Sequence, residues 1–193
     1  MIRNFVRATI AVILLAVVTG LVYPLVMTGF AQVVMRSKAD GSIVTVGSRA
    51  VGSSMIGQQW AGKGWFYGRP SAISYDASTS SGSNLGPTNR TLAENIATQA
   101  RAIIKIENRY HSGLTTANIP VDLLTSSASG LDPDISPAAA KFQAPRIAAE
   151  RNIPLSQVMT LIDEHTTGET LGILGEPRVD VLELNLALEA LSH

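Results

Sequence analysis

The chain has 193 residues, with 15 basic and 15 acidic side chains and a formal net charge of zero, a length that admits one domain or one domain plus an anchor. It contains no cysteine, which excludes disulfides, cysteine-containing zinc sites and thiol catalysis. All 15 acidic residues lie after position 36, so 37–193 carries 12 basic groups against 15 acidic ones; that mildly acidic, aromatic-poor stretch has no electrostatic footprint for nucleic acid.

The first element is an anchor. Between Arg7 and Arg36 lie 28 consecutive uncharged residues, and Ile10–Val18 is almost purely aliphatic. At about 1.5 Å per residue this run exceeds the roughly 30 Å of a hydrocarbon core, so a transmembrane helix is predicted over about 8–35. A cleaved signal peptide has an apolar region of only about 7–15 residues ending in a small-x-small site. Phe30-Ala31-Gln32 does not supply one, so the run reads as a retained single-pass span. Pro24 predicts a kink, because its ring clashes with the carbonyl four residues back. Residues 1–36 are thus the anchor segment and 37–193 a soluble domain.

Gly41–Val46 predicts a short β-branched strand and Val51–Trp60 a strand or strand–turn. Lys63–Pro70 sets three aromatics between glycines, either at the core edge or as an exposed patch. Asp76–Arg90 is a loop by its turn chemistry. Thr91 and Glu94 predict a capping box opening a helix that runs to about His111. Ile119–Thr125 predicts a strand end, and Ser126–Ser136 a second polar loop. Ser136-Pro137 predicts an N-cap with proline at the first helical position, in a helix that Pro145 should interrupt near Ala144. Pro154 and Ser156 open a further helix with Val158, Leu161 and Ile162 inward. A strand is predicted over Thr170–Leu174, and a last helix capped by Asp180 with Val181, Leu184, Leu188 and Leu191 on one face. Strands and helices mix without regular alternation, which gives a single mixed α+β domain after the anchor.

No phosphate-binding lysine loop, dinucleotide fingerprint, zincin motif or nucleophile elbow occurs. The three histidines, His111, His165 and His193, are scattered, and two are placed at helix ends, where they favour the dipole. Asp132-Pro-Asp134-Ile-Ser136 begins like a calcium loop, but its sixth and twelfth positions are Pro137 and Gln143 where Gly and Glu are needed. Ser81–Pro87 admits two readings: a plain turn segment, or a Gly/Ser cradle presenting amides to an anion ahead of a helix N-terminus. No catalytic residue and no metal site is assigned.

Whole phrases of the chain then carry a resemblance. They are Gly20-x-x-Tyr23-Pro24, Gly52-Ser53-x-x-Ile56-Gly57-Gln58, Phe66-x-Gly68-Arg69-Pro70-Ser71-Ala72 and Ser81-Gly82-Ser83-Asn84-Leu85. Further along come Ser127-Ala128-Ser129-Gly130-Leu131-Asp132, Gln143-x-Pro145-Arg146-Ile147-Ala148 and Val181-Leu182-Glu183-Leu184-Asn185-Leu186. In this order, over nearly the full length, the chain resembles the C subunit of the Kdp potassium-transporting P-type ATPase. One departure is Asp180, where the family carries Asn; both cap helices well.

The resemblance implies a non-catalytic accessory subunit of a high-affinity, ATP-driven potassium importer of prokaryotes, aiding assembly and raising the pump's ATP affinity. Its partners would be a catalytic P-type ATPase subunit, a channel-like potassium-binding subunit and a small lipophilic peptide. It implies a location in the inner or plasma membrane, with the domain outside the cytoplasm. An alternative is a nucleotide-binding module that loads ATP, which requires a cytoplasmic domain. For that case the resemblance implies a contact through Gln143, to which Ser83, Asn84 and Gly86 are added on physical grounds. A more distant alternative is an anchored extracytoplasmic enzyme. The bland reading of Gln143 is a polar helix residue bonding nearby backbone.

Overall fold

The computed structural model describes residues 1–191 and divides into two compact units, Met1–Val51 and Gly52–His193. The first unit is dominated by a helical run, Ile2–Val34, of 33 residues whose mean hydropathy reaches 2.6. It is long and apolar enough to cross a membrane, and its side chains are exposed almost throughout. It consists of α1 (Ile2–Val17), a π-helical turn (Val18–Val22) and α2 (Tyr23–Val34).

The distortion predicted at Pro24 sits in the turn before it. Proline has no N–H to offer the Gly20 carbonyl, and the chain accommodates this with a wide turn in which the Tyr23 N–H donates to Val18 O. Thr19 Oγ1 donates to Leu15 O (2.7 Å), an added bond to the helix backbone. After α3 (Arg36–Ala39), β1 (Ile43–Val46) turns through Gly47, at φ +62°, into β2 (Arg49–Ser53), with which it forms a two-stranded sheet. The second predicted strand therefore begins two residues early and stops at Ser53, where a single bridge to Ile56 closes a turn.

The second unit is organised by α5 (Pro137–Arg151), α6 (Leu155–Glu164) and α7 (Val181–Ala190). Helix α5 packs on α6, α6 on α7, and both α5 and α7 meet β5 (Arg178–Asp180). Strands β3 (Asp134–Ile135), β5 and β4 (Thr166–Thr167) form an antiparallel sheet in the order β3-β5-β4, with Ile135 opposite Val179 and Val179 opposite Thr166. Ala139, Ala140 and Ala144 are fully buried on α5; their small side chains let neighbours approach its backbone. Ile147, Val158, Ile162, Val179, Leu184 and Leu188 fill the space between, each burial contributing about 1.5–3 kcal/mol.

Ser136 caps α5 as predicted, its hydroxyl accepting from Ala139 N (3.0 Å), and Asp180 caps α7 by accepting from Glu183 N (2.8 Å). Leu191, predicted on the inner face of α7, is half exposed beyond its end.

Four local expectations are corrected. Helix α4 (Arg90–Glu107) is capped by Asn89, which accepts from Thr91 N (2.8 Å), rather than by Thr91; Glu94 pairs with Arg90 instead (2.8 Å). Helix α5 runs through Pro145 without interruption, because its packed faces hold it on both sides of the missing donor. Residues 116–118 and 121–123 form two 3-10 turns, not a strand end; Asn118 closes a capping box with Thr115, and Asp122 turns away to accept from Ser136 N (2.8 Å). The strand placed at Thr170–Leu174 is a bridged turn, and the strands beside it are the short β4 and β5.

Candidate functional site

The most chemically dense part of the second unit is an irregular strap, Lys63–Gly68, laid against α5 and α7. Phe66 is its anchor, with no exposed surface. The aromatic segment thus belongs to the core edge, but it is not a strand: side chains satisfy its backbone. Asn185 of α7 accepts from Phe66 N (2.9 Å) and donates to Phe66 O (3.0 Å). Gln143 of α5 does the same for Tyr67, accepting from its N–H (2.8 Å) and donating to its carbonyl (3.1 Å). Two side-chain amides thereby stand in for the ladder a neighbouring strand would provide.

Arg146 completes the bracket from the next turn of α5. Fully buried, it donates to the Trp65 carbonyl (2.9 Å), the Lys63 carbonyl, Gln143 Oε1 (2.8 Å) and Glu107 Oε1 (2.6 Å). Its guanidinium also stacks over the Tyr67 ring at 4.5 Å. Arg151 repeats the pattern one turn on, donating to Gly64 O (2.7 Å) and lying over the Trp65 ring at 4.2 Å.

Glu107, at the end of α4, is 2% exposed. Burial pushes its carboxyl up, against the pull of Arg146 and His111. Its Oε2 meets no hydrogen-bond donor among the described residues, and His111 Nε2 stands 3.8 Å away. That histidine bonds the Phe142 carbonyl (2.9 Å) and stacks on the Phe142 ring at 4.7 Å. It lies past the end of α4 and His165 caps α6, while His193 lies outside the described residues.

Beside this cluster is a cavity of about 40 Å³ that Tyr67, Gln99, Ile103, Glu107, Phe142 and Gln143 help to line. It suits one or two waters; ligand pockets run to about 300–1,000 Å³. Gln143 itself is 1% exposed and makes four bonds, the fourth from Nε2 to Ala139 O (3.3 Å). A nucleotide contact through this amide therefore requires its bonds to the strap to open.

The residues grouped with Gln143 on physical grounds lie elsewhere. Ser83, Asn84 and Gly86 are exposed, and none of them lines that cavity. Asn84 sits at φ +53°, and Gly86 O accepts from Asn89 N (2.9 Å) in the turn that starts α4. The start of this loop is stitched to the second polar loop: Ser81 N donates to Ser129 O (2.9 Å), and a Cβ on Gly82 would lie 2.8 Å from Ala128 O. That second loop is tied in turn to the strap's continuation, through Arg69 to Asp132 (3.1 Å) and Ser71 Oγ to Gly130 O (2.6 Å). Asp132 also accepts from Asp134 N (3.1 Å), closing an Asx-turn where the calcium-loop pattern fails.

Sequence reasoning passed over Asn185, Arg146 and Glu107 as a unit. The signal available was local: Arg146 stands between Pro145 and Ile147 on an alanine-rich helix, and Asn185 between two leucines.

The family model described as "KdpC: K+-transporting ATPase, c chain" matches residues 5–190. The chain is 49% identical over 190 residues to a "Potassium-transporting ATPase KdpC subunit" of Nitratidesulfovibrio vulgaris, covering 96% of this chain and 93% of that one. It is 48% identical over 184 residues to the protein of the same name from Acidobacterium capsulatum, with 94% and 95% covered. Against the one from Variovorax paradoxus the identity is 49% over 192 residues, with 97% of both covered.

Proposed function

Because the chain belongs to the KdpC family, the c chain of the K+-transporting ATPase, we propose that it is a non-catalytic accessory subunit of a high-affinity, ATP-driven potassium import complex. In this reading the helical run of residues 2–34 anchors the chain in the inner or plasma membrane of a prokaryote, with the membrane boundary near 36/37. The remainder, 37–193, lies outside the cytoplasm, against the face through which potassium enters the channel-like subunit. Its other partners are the catalytic P-type subunit and a small lipophilic peptide. It holds these together and raises the catalytic subunit's ATP affinity indirectly, by favouring the conformation that binds ATP.

The observation that carries this reading is how the polar groups are spent. Gln143, Asn185 and Arg146, the buried groups best equipped to bind something, bond the chain's own backbone strap. That supports a rigid platform over a catalytic centre, and an indirect effect on ATP over direct nucleotide binding.

The test is a deletion strain grown at micromolar potassium, with tagged catalytic subunit purified from the same cells in mild detergent. Loss of uptake, together with a higher KM for ATP in whatever ATPase is recovered, is expected. Uptake at the parental rate would sink the proposal. External protease applied to intact spheroplasts checks the orientation: cleavage of the C-terminal domain is expected, and protection would place the domain in the cytoplasm.

A further inference from the structure

Strands β4 and β5 are joined by a ten-residue hairpin loop, 168–177, which projects the one dense apolar patch found among the described residues of the second unit. Leu171 is 85% exposed, Ile173 79% and Leu174 56%. The other most exposed large apolar side chains described in this unit, Met55 and Val121, lie far apart along the chain, and scattered exposed apolar residues are ordinary for a soluble surface. This cluster is also rigidly presented. Thr170 and Leu174 exchange both backbone bonds (Thr170 N to Leu174 O, 2.8 Å; Leu174 N to Thr170 O, 3.0 Å), closing a small hairpin at the tip.

Holding that tip requires Leu171 at φ +58°, a left-handed conformation that favours Gly or Asn. Glycines already occupy the next two left-handed positions, Gly172 and Gly175. A leucine placed in the unfavourable conformation and then left in water gains nothing from its own fold. Such strain is characteristic of binding surfaces.

Charge decides between occupants. From Glu164 to Glu176 there are three glutamates and no lysine or arginine. The nearest arginine, Arg178, is paired to Asp134 at 3.2 Å. A finger meant for a membrane surface would carry basic residues, since anionic headgroups repel glutamates. A second copy of this chain would bring the same acidic rim against itself. The complementary surface is apolar with a basic rim.

We propose that the β4–β5 finger is a docking knob, with Leu171, Ile173 and Leu174 seated in an apolar hollow on another protein subunit of the transport complex, and Glu164, Glu169 and Glu176 facing Lys or Arg at its rim. This rests on the accessory-subunit reading above and adds the surface that makes the contact.

The experiment places the photo-crosslinking residue p-benzoylphenylalanine at position 171, at 173 and, as a control, at the exposed Thr98 of α4, in the full-length tagged chain co-expressed with the complex. Membranes are illuminated before solubilisation, and cross-linked peptides are identified by mass spectrometry. Cross-links from 171 and 173, but not from 98, to one peptide of another subunit with apolar residues beside Lys or Arg are the expected result. In parallel, the double variant Ile173→Ser/Leu174→Ser should recover about tenfold less of that subunit, as loss of a central apolar anchor does, while its melting temperature stays at that of the parent chain. Cross-links only to lipid, only to a second copy, or none, from cells in which the unmodified chain still recovers its partners, overturn the finger and leave the accessory role standing. Failure of the unmodified chain to recover any partner from cells that make them overturns both.

Discussion

Two regions of the second unit invert the usual rule of apolar inside and polar outside, and they do so in opposite ways. At the strap, polar and charged groups are buried: Gln143, Arg146, Asn185 and Glu107 are each at most 2% exposed. Nearly every donor and acceptor there has a partner, either a backbone group of Lys63–Tyr67 or another member of the cluster. At the β4–β5 finger, apolar groups are exposed and have no such partners within the chain's core. The first inversion is resolved inside the molecule, and the second is not. A buried polar network that closes on itself specifies one arrangement of loop on helix. An apolar cluster left open specifies a contact still to be made.

The largest effect should come from breaking the closed region at its centre. Replacing Arg146 by Ala leaves the Glu107 carboxylate buried without its countercharge and frees two strap carbonyls, a loss of about 3–5 kcal/mol in urea unfolding of the full chain in detergent. An unchanged midpoint would mean that solvent already screens this pair, contrary to its burial.

Next comes Gln143→Leu, which keeps the volume but orphans the Tyr67 N–H and carbonyl. About 1–3 kcal/mol for each orphaned group is expected, visible as faster amide exchange at Tyr67 before global unfolding. The same variant bears on nucleotide binding. If ATP affinity of the assembled complex falls only in proportion to the lost stability, Gln143 acts as a bracket; a fall in affinity with stability intact would make it a contact.

A smaller, pH-dependent effect is expected at Asp180, where burial foremost, helped by Glu183 and by Asp134 across the β3–β5 ladder, pushes the carboxyl from 3.8 to about 6. A folded value above the unfolded one means that the favourable contribution is complete below about pH 4 and is lost as pH rises through about 6. Asp180→Asn retains the cap on Glu183 N and removes the charge. The melting temperature should therefore rise at pH 7.5 and stay nearly level at pH 4, when both proteins are scanned side by side. Equal gains at both values would assign the effect to the cap instead.

The smallest change in stability should follow from altering the open region. Leu171→Asn relieves the left-handed conformation and removes nothing from the core, so the isolated chain should be unchanged or stabilised by up to about 1 kcal/mol by thermal melting. A clear destabilisation would show that the finger's apolar residues already serve the fold, and the contrast between the two regions would disappear.

Elements whose signals are local and strong are legible in the sequence alone. The uncharged run after Arg7, the Ser136-Pro137 start of α5, the inward face of α6 and the Asp180 cap all follow from hydrophobic period and capping chemistry acting within a few residues. The misplaced elements have weak or competing local signals. Asn89 outcompeted Thr91 as the cap of α4, because either can accept from a first-turn amide and only the path of the preceding loop chooses. Strands β3, β4 and β5 span two or three residues each, too short for a period to register. The run Thr170–Leu174 reads as a short strand, because sequence hydrophobicity alone does not tell a side chain that faces the core from one that faces outward.

The sequence by itself therefore determined the long apolar helix, the mixed α+β character and, through collinear phrases, the family. Each of these depends on neighbours along the chain or on the order of motifs. Tertiary structure decided what the polar residues do. Phe66 and Asn185 are 119 positions apart, and Tyr67 and Gln143 are 76 apart. No spacing rule joins such pairs; only the packing of α5 and α7 brings their amides to the strap, where an unsatisfied buried backbone group would otherwise oppose folding.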